Sequence, residues 1–300
     1  MNLKFKVFIG AALIGTTLAL AAGSRVITIT AQNRSGGPSA TAWEYTGTVK
    51  GKVQTLEIAA EKATLSAAEG GPVGNADGKR VANFMGALVV TRGRMTSKGA
   101  SLEYKEATGL GLLSGPVNVV QKAEKKDGDD VTISASKATF DVDTNVSTSE
   151  GSVKLVNGTQ TATSAKIVFD EDSSLGCLTD PRSVGVVREP KKAGDNRLVI
   201  TAKDVRVNTD TNTLIAAGGV RLEAGDNVTT GEALYYDDAK DTAWVIGDVA
   251  KKLPAKNVNR KSGATISSGT IINYTKNNRA DQLGNVFKIP FDKFKCATDK

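Results

Sequence analysis

Histidine is absent from the 300 residues, and the chain holds only two cysteines, seven prolines and 5% aromatic residues. Without histidine the commonest general base is missing, and with it the Ser-His-Asp and Cys-His catalytic arrangements. Cys177 and Cys296 lie far apart with no neighbouring thiol or imidazole, so neither belongs to a chelating pair and no metal centre is expected. No Gly-x-x-x-x-Gly-Lys-Ser/Thr loop is present to cradle a phosphate. Asp141, Asp143 and Asn145 have the spacing that opens a calcium loop, but Val146 occupies the position that requires glycine and Ser152 the position of the bidentate glutamate. Helical patterning is also scarce, because few stretches place apolar residues at i, i+3, i+4 and i+7 without an intervening Gly, Thr or Asn. The expectation is a protein that is not an enzyme and needs no cofactor.

What the chain does have is short alternating apolar runs and 31 glycines, a composition suited to many strands joined by glycine turns. Seven runs close on residues two apart: Ala63/Leu65, Leu102/Tyr104, Ala138/Phe140, Ile167/Phe169, Val205/Val207, Leu234/Tyr236 and Ile272/Tyr274. Successive closing residues lie 29 to 39 positions apart, a loose but sustained period that marks stacked units sharing one core. Glycine precedes a second kind of run: Gly115 before Val117/Val119, Gly151 before Val153/Leu155, and Gly218, Gly219 before Val220/Leu222. That order suggests a bend or bulge leading into the next strand. Asp141 to Asn145, Asn208 to Asn212 and Asp237 to Asp241 offer Asx turns between strands.

The N-terminus reads differently. Lys4 and Lys6 precede an apolar run, Val7 to Ala22, that is short for a comfortable membrane span and ends in small residues around Ala19 to Ala21. Residues 1–22 are therefore expected to be a cleaved signal peptide or an uncleaved anchor, residues 23–41 a linker after one short β-prone patch, Val26 to Thr30, residues 42–290 the β region and residues 291–300 a tail. The segment 176–196 carries Pro181 and Pro190 and interrupts the rhythm. It either divides lobes 42–175 and 197–290 or is an insertion in one continuous stack, and the resumed pattern at Arg197 favours continuity. In the oxidising compartment that export implies, Cys177 and Cys296 form either a disulfide or two independent thiols. The net charge of +7 is spread along the chain, with Lys122, Lys125, Lys126, Lys191 and Lys192 in solvated turns. Basic residues do not interleave with aromatics, so nucleic acid is not an expected partner.

The apolar positions admit two roles. Leu102, Tyr104, Phe140, Val153, Leu155, Ile167, Phe169, Val205, Val207, Leu222, Leu234, Tyr236 and Ile272 either fill a core or line a groove between sheets that admits acyl chains. Each buried methylene is worth about 0.8 kcal/mol, so such a groove could hold lipid without polar anchors.

Two phrases carry a family resemblance. Gly151-Ser-Val-Lys-Leu155 followed by Ala165-Lys-Ile-Val-Phe169-Asp170 resembles the OstA-like repeat of the periplasmic lipopolysaccharide-transport proteins, the LptA and LptC group. So does Leu214-Ile-Ala-Ala-Gly-Gly219-Val220-Arg-Leu222 followed by Ala233-Leu-Tyr-Tyr236-Asp237. The resemblance spans Trp43 to Gly284 and is clearest over 130–250. It implies an all-β, elongated antiparallel β-jellyroll of short strands, open at both ends. Such modules pair end to end through their terminal strands, with one another or with copies of themselves. They form a bridge that carries lipopolysaccharide or another envelope lipid across the periplasm. The alternatives from other classes are an envelope scaffold with a filled interior and a polysaccharide-acting β-helix enzyme.

Overall fold

The computed structural model describes residues 25–126 and 128–299; the expected signal or anchor segment lies outside them. The strands in chain order are β1 (Thr28–Thr30), β2 (Asn33–Ser35), β3 (Ala42–Val53), β4 (Leu56–Ala67), β5 (Arg80–Met85), β6 (Val89–Arg92) and β7 (Met95–Lys98). Next come β8 (Ser101–Lys105), β9 (Leu110–Gln121), β10 (Val131–Asp141), β11 (Val146–Asn157), β12 (Gln160–Asp170), β13 (Leu175–Arg188) and β14 (Leu198–Asn208). The last are β15 (Thr213–Ala224), β16 (Asn227–Asp237), β17 (Thr242–Ile246), β18 (Ala255–Asn259), β19 (Thr265–Ser268), β20 (Thr270–Tyr274) and β21 (Arg279–Leu283). All pairings are antiparallel, mostly between chain neighbours. The fold is the expected all-β antiparallel jellyroll.

The strands are longer than expected, and the glycines explain why. Each long strand is folded across its middle. Pairing of β11 with β12 runs from Val146 to Glu150, shifts register, and resumes from Val153 to Asn157. The pairing of β14 with β15 breaks between Thr201 and Asp204, which face Arg221 and Ala217. The shift sits on Gly151 (φ +83°) in β11 and on Gly218 and Gly219 (φ +84° and +82°) in β15, backbone that L side chains rarely adopt. The glycines therefore bend a single strand from one wall to the other instead of turning the chain into the next strand. The front wall holds halves such as 146–150, 166–170 and 213–217; the back wall holds 153–157, 160–164 and 220–224. Inward side chains of both walls, from Ile27 to Ile271, form one core.

The segment 176–196 is built into this plan. Leu175–Arg188 pairs with β12 on one side and β14 on the other, and the Pro181 region is its mid-strand bend, where Asp180 Oδ1 accepts from the backbone N–H groups of Arg182 and Ser183. Proline needs no ladder bond there. The stretch expected as a linker instead carries β1 and β2, both paired to β3, and buries Ile27. The Asx turns close as expected: Asp141 Oδ1 accepts from Asp143 N–H at 2.8 Å, and Asn208 Oδ1 from Thr211 N–H at 2.9 Å.

The C-terminal residues return across the outer face of the front wall. Phe287, Ile289, Phe294 and Cys296 pack there on Val168, Leu175, Cys177, Ile215 and Ile246. Cys177 and Cys296 are disulfide-bonded, with Cα atoms 6.1 Å apart.

Candidate functional site

Twelve of the thirteen proposed lining residues lie in the single core between the walls, none more than 8% exposed. Ile272 does not. Ile271 points inward and is fully buried, while Ile272 lies on the outer face opposite Trp244. The doublet of isoleucines hides which residue is in phase, and a one-residue slip moves a side chain to the other face. Phe84, Leu65, Leu113, Leu178 and Ile200 are as deeply buried as the residues singled out, and alternation within Val81-Ala-Asn-Phe84 or Leu198-Val-Ile200 carries that signal.

The two walls pack directly on each other. The gap among Leu56, Val90, Met95, Leu113, Val119 and Phe140 is about 30 Å³, room for one water and far below the ~300 Å³ of a small ligand pocket. Even backbone-only positions are filled: a Cβ on Gly111 would fall 2.0 Å from Phe140 Cζ, so the tip of the ring occupies the space over the glycine. A larger cleft of about 530 Å³ involves Lys50, Lys52, Glu57, Val89 and Thr91 on the outer side of the back wall, not the space between the walls.

What closes the interior opposite the strand bends is a row of polar side chains, and no sequence pattern announced it. Turns at the outer ends of the back-wall strands meet turns of the front wall. Glu106 Oε1 accepts from Ile27 N–H at 2.8 Å and pairs with Arg80, which also donates to Ile27 O. Gln54 donates to Asp143 at 3.1 Å. Arg92 donates to Asp141 O at 2.9 Å and pairs with Glu171. Asn157 donates to Asn212 Oδ1 at 2.9 Å and to Thr209 O. Arg188 donates to Tyr236 Oη at 3.1 Å and Asp241 Oδ1 at 3.1 Å, and Asn227 to Asn278 O at 2.8 Å. This seam joins the rims by side chains and single carbonyls, with no strand ladder.

The seam also sets the ionisation of nearby groups. Burial pushes the Glu171 carboxyl up, against the opposing pull of Arg92. Tyr104 and Tyr236 are pushed well above the ordinary tyrosine range, first by burial. The charges of Glu106 and Asp143 then add to the shift at Tyr104, and the hydrogen bond and charge of Asp238 at Tyr236. A raised folded pKa means the native state holds its proton more tightly than the unfolded chain, whose tyrosines ionise near pH 10. Stability from these two tyrosines is thus fully present below about pH 10 and is lost as pH rises beyond it. In an alkaline titration, tyrosinate absorbance from Tyr104 and Tyr236 should appear together with loss of β circular dichroism; ionisation of either in the folded protein would contradict the burial argument.

The C-terminal end of the interior changes character. Thr229 Oγ1 donates to Asn273 Oδ1 at 2.7 Å and accepts from Asn257 Nδ2 at 2.8 Å, all three buried. The apolar interior therefore has a polar end at β16, β18 and β20.

Residues 28–137, from β1 into β10, match the family described as LptA/(LptD N-terminal domain) LPS transport protein. This stretch is similar to that family over 110 residues, little more than a third of the chain. The phrases at 151–170 and 214–237 that suggested the resemblance lie beyond that match, in the same continuous jellyroll. The chain is also similar to the solved structure of LptH, the LptA homologous periplasmic component of the conserved lipopolysaccharide transport device from Pseudomonas aeruginosa. Identity is 12% and the TM-score 0.37, with 46% of this chain and 92% of that chain covered. No curated protein matches. The matched family is one of transport proteins, and the matched stretch supplies the N-terminal share of the core.

Proposed function

We propose that this protein is a non-enzymatic carrier of a lipopolysaccharide-like lipid, holding acyl chains between the two walls of its jellyroll in the periplasm. The observation that carries the reading is the single apolar interior extending through both walls, closed along one side by side-chain bonds alone. Parting the seam exposes that interior without breaking a strand ladder, whereas opening the bend side would break every long strand. Acyl chains would then lie on residues such as Phe140, Phe169 and Tyr236, with headgroups at the polar rim. Strands β1 and β2 pair only with β3 among the described residues, and their outer edges would serve another jellyroll as a template for strand pairing. Export fits residues 1–22 as a signal or an anchor, and N-terminal sequencing of the mature protein separates these. One continuous body from β1 to β21, without a boundary at 176–196, is the domain reading we favour.

A scaffold with a permanently filled core is the second reading, and the tight contact between the walls favours it. Photo-crosslinking in intact envelopes separates the two. Probes replacing Phe140, Phe169 and Tyr236 are expected to capture lipid, while a probe at the exposed turn residue Thr211 is not. Folded protein that yields no lipid adduct at any interior position would leave the scaffold standing.

A further inference from the structure

Most strand crossings between the walls are tight, as at Gly218 and Gly219, but between β17 and β18 the crossing takes residues 247–254. This loop protrudes at the bend edge, opposite the seam. It is ordered by its own bonds: Leu253 N–H donates to Asp248 O at 2.9 Å, and Lys251 N–H to Asp248 Oδ1 at 3.0 Å. Gly247 permits the closure, because a Cβ there would stand 2.2 Å from Leu253 O. The loop is held in a shape that leaves its apolar side chains out of the core. Val249 is 67% exposed and Leu253 58%, and Val286 from the C-terminal segment, 54% exposed, borders the same hollow.

Charge surrounds this tip. Lys251 is committed to Asp248 at 2.8 Å and also faces Glu232. Lys252, in the loop, and Lys288, two residues beyond Val286, are exposed and have no acidic partner among the described residues. Three protruding aliphatic side chains beside two free ammonium groups suit an anionic bilayer surface. The aliphatics enter the acyl boundary and the lysines meet the phosphates. A protein partner would be expected to need a broader and flatter apolar patch than one loop tip.

We propose that the loop 247–254, with Val286 and Lys288, docks this protein on an anionic lipid surface. The inference rests on the exposed loop and does not require the interior to carry lipid. Docking there would set the bend edge and the C-terminal end of the jellyroll against the membrane.

The test uses the full chain with a photo-crosslinking residue in place of Leu253, mixed with vesicles of phosphatidylcholine, with or without phosphatidylglycerol. A probe at this site reports the loop itself, whatever residues 1–22 do. Expected is a phospholipid adduct with the anionic vesicles, falling about tenfold when Lys252→Glu and Lys288→Glu are combined or when salt shortens the Debye length to a few ångströms. A probe at Thr211 should stay free of lipid. The proposal is overturned by equal capture from neutral vesicles, by equal capture at Thr211, by no adduct, or by crosslinks to a second copy of the chain or another protein. A parallel probe at Phe169 keeps this apart from the carrier reading: lipid at 169 with none at 253 removes the docking site alone.

Discussion

Replacing Arg188 with methionine is expected to lower folding stability by about 3 kcal/mol, toward the lower end of the ~3–5 kcal/mol that follows removal of one partner from a buried ion pair. Arg188 is 1% exposed at the end of β13. It reaches Tyr236 Oη, Asp241 Oδ1, Thr275 Oγ1 and Asn196 O, and stands 3.4 Å from Asp238 Oδ1. Methionine fills part of the volume but leaves two nearly buried carboxylates with less compensation. They keep some: Lys191 still pairs with Asp238, Lys276 with Asp241, and the Tyr236 hydroxyl still donates to Asp238. Those lysines are much more exposed than Arg188, so they replace its charge only partly. Lysine at 188 should rescue little, because a single ammonium cannot reproduce the planar fork that meets four partners. Urea unfolding checks the figure, and adding Asp241→Asn should return part of the loss. A change below about 1 kcal/mol would mean that the lysines already neutralise the pair.

This arginine shows why the fold was legible in the sequence and the seam was not. Alternation depends on neighbours in the chain, so Leu234-Tyr-Tyr236 or Val205-Arg-Val207 reveals a half-buried strand by itself. The positive-φ demand at Gly151 and Gly218 is local too, and it marked the bends, although whether a bend ends a strand or folds it depends on how the halves pair. The seam depends on contacts between residues far apart in the chain, 48 positions for Arg188 with Tyr236, 87 for Arg188 with Thr275 and 89 for Gln54 with Asp143. Arg80, Arg92 and Arg188 look like ordinary strand-end charges until the opposite rim is in place. The same limit misplaced Ile272: with Ile271 beside it, only the partner strand distinguishes inside from outside. It also made most of residues 23–41 look like a linker: the β-prone patch Val26 to Thr30 holds β1, but the polar β2 shows no alternation and is a strand because β3 offers an edge.

The seam bears on how lipid could enter. Each junction is a side-chain hydrogen bond or an ion pair, and most are worth about 1 kcal/mol net, so they part more readily than packed strands. Arg188 and Arg80, deeply buried and multiply bonded, are the strong points. Arg92, which pairs with Glu171 and donates to Asp141 O, is a third. Opening should therefore begin between Arg92 and Arg188, around Asn157 and Asn212, where the bonds are neutral amide contacts. Phe140 and Phe169 stand next to Asp141 and Asp170 at the front-wall ends of their strands, and are the interior positions where crosslinking is most informative.

Breaking the Cys177–Cys296 disulfide is expected to have an effect of similar size but different character. The bond closes a span of 119 residues, and a loop of that length restricts the unfolded chain by roughly 4–5 kcal/mol in the chain-entropy account. Measured losses on removing a native disulfide run at about 2–5 kcal/mol. Here the bond also holds the C-terminal segment on the outer front wall. Phe287 stacks on Trp244 with ring centroids 5.0 Å apart, Phe294 meets Tyr235 edge-on, and Arg206 donates to Phe294 O at 2.7 Å and pairs with Asp299. These contacts act at the end of a chain that, once cut loose, regains the entropy of its last fifteen or so residues, about 1–2 kcal/mol each for the backbone alone. The Cys177→Ser/Cys296→Ser variant should therefore release the segment before the jellyroll unfolds. Two transitions are expected where the oxidised protein shows one: an early change in Trp244 fluorescence with protease cleavage near Lys288, then cooperative loss of β structure. Both walls keep their ladders in the first step, because among the described residues no strand pairs with residues beyond Leu283. If the variant instead keeps Lys288 protected and unfolds at the oxidised protein's midpoint, the aromatic contacts and Arg206 hold the segment without the bond.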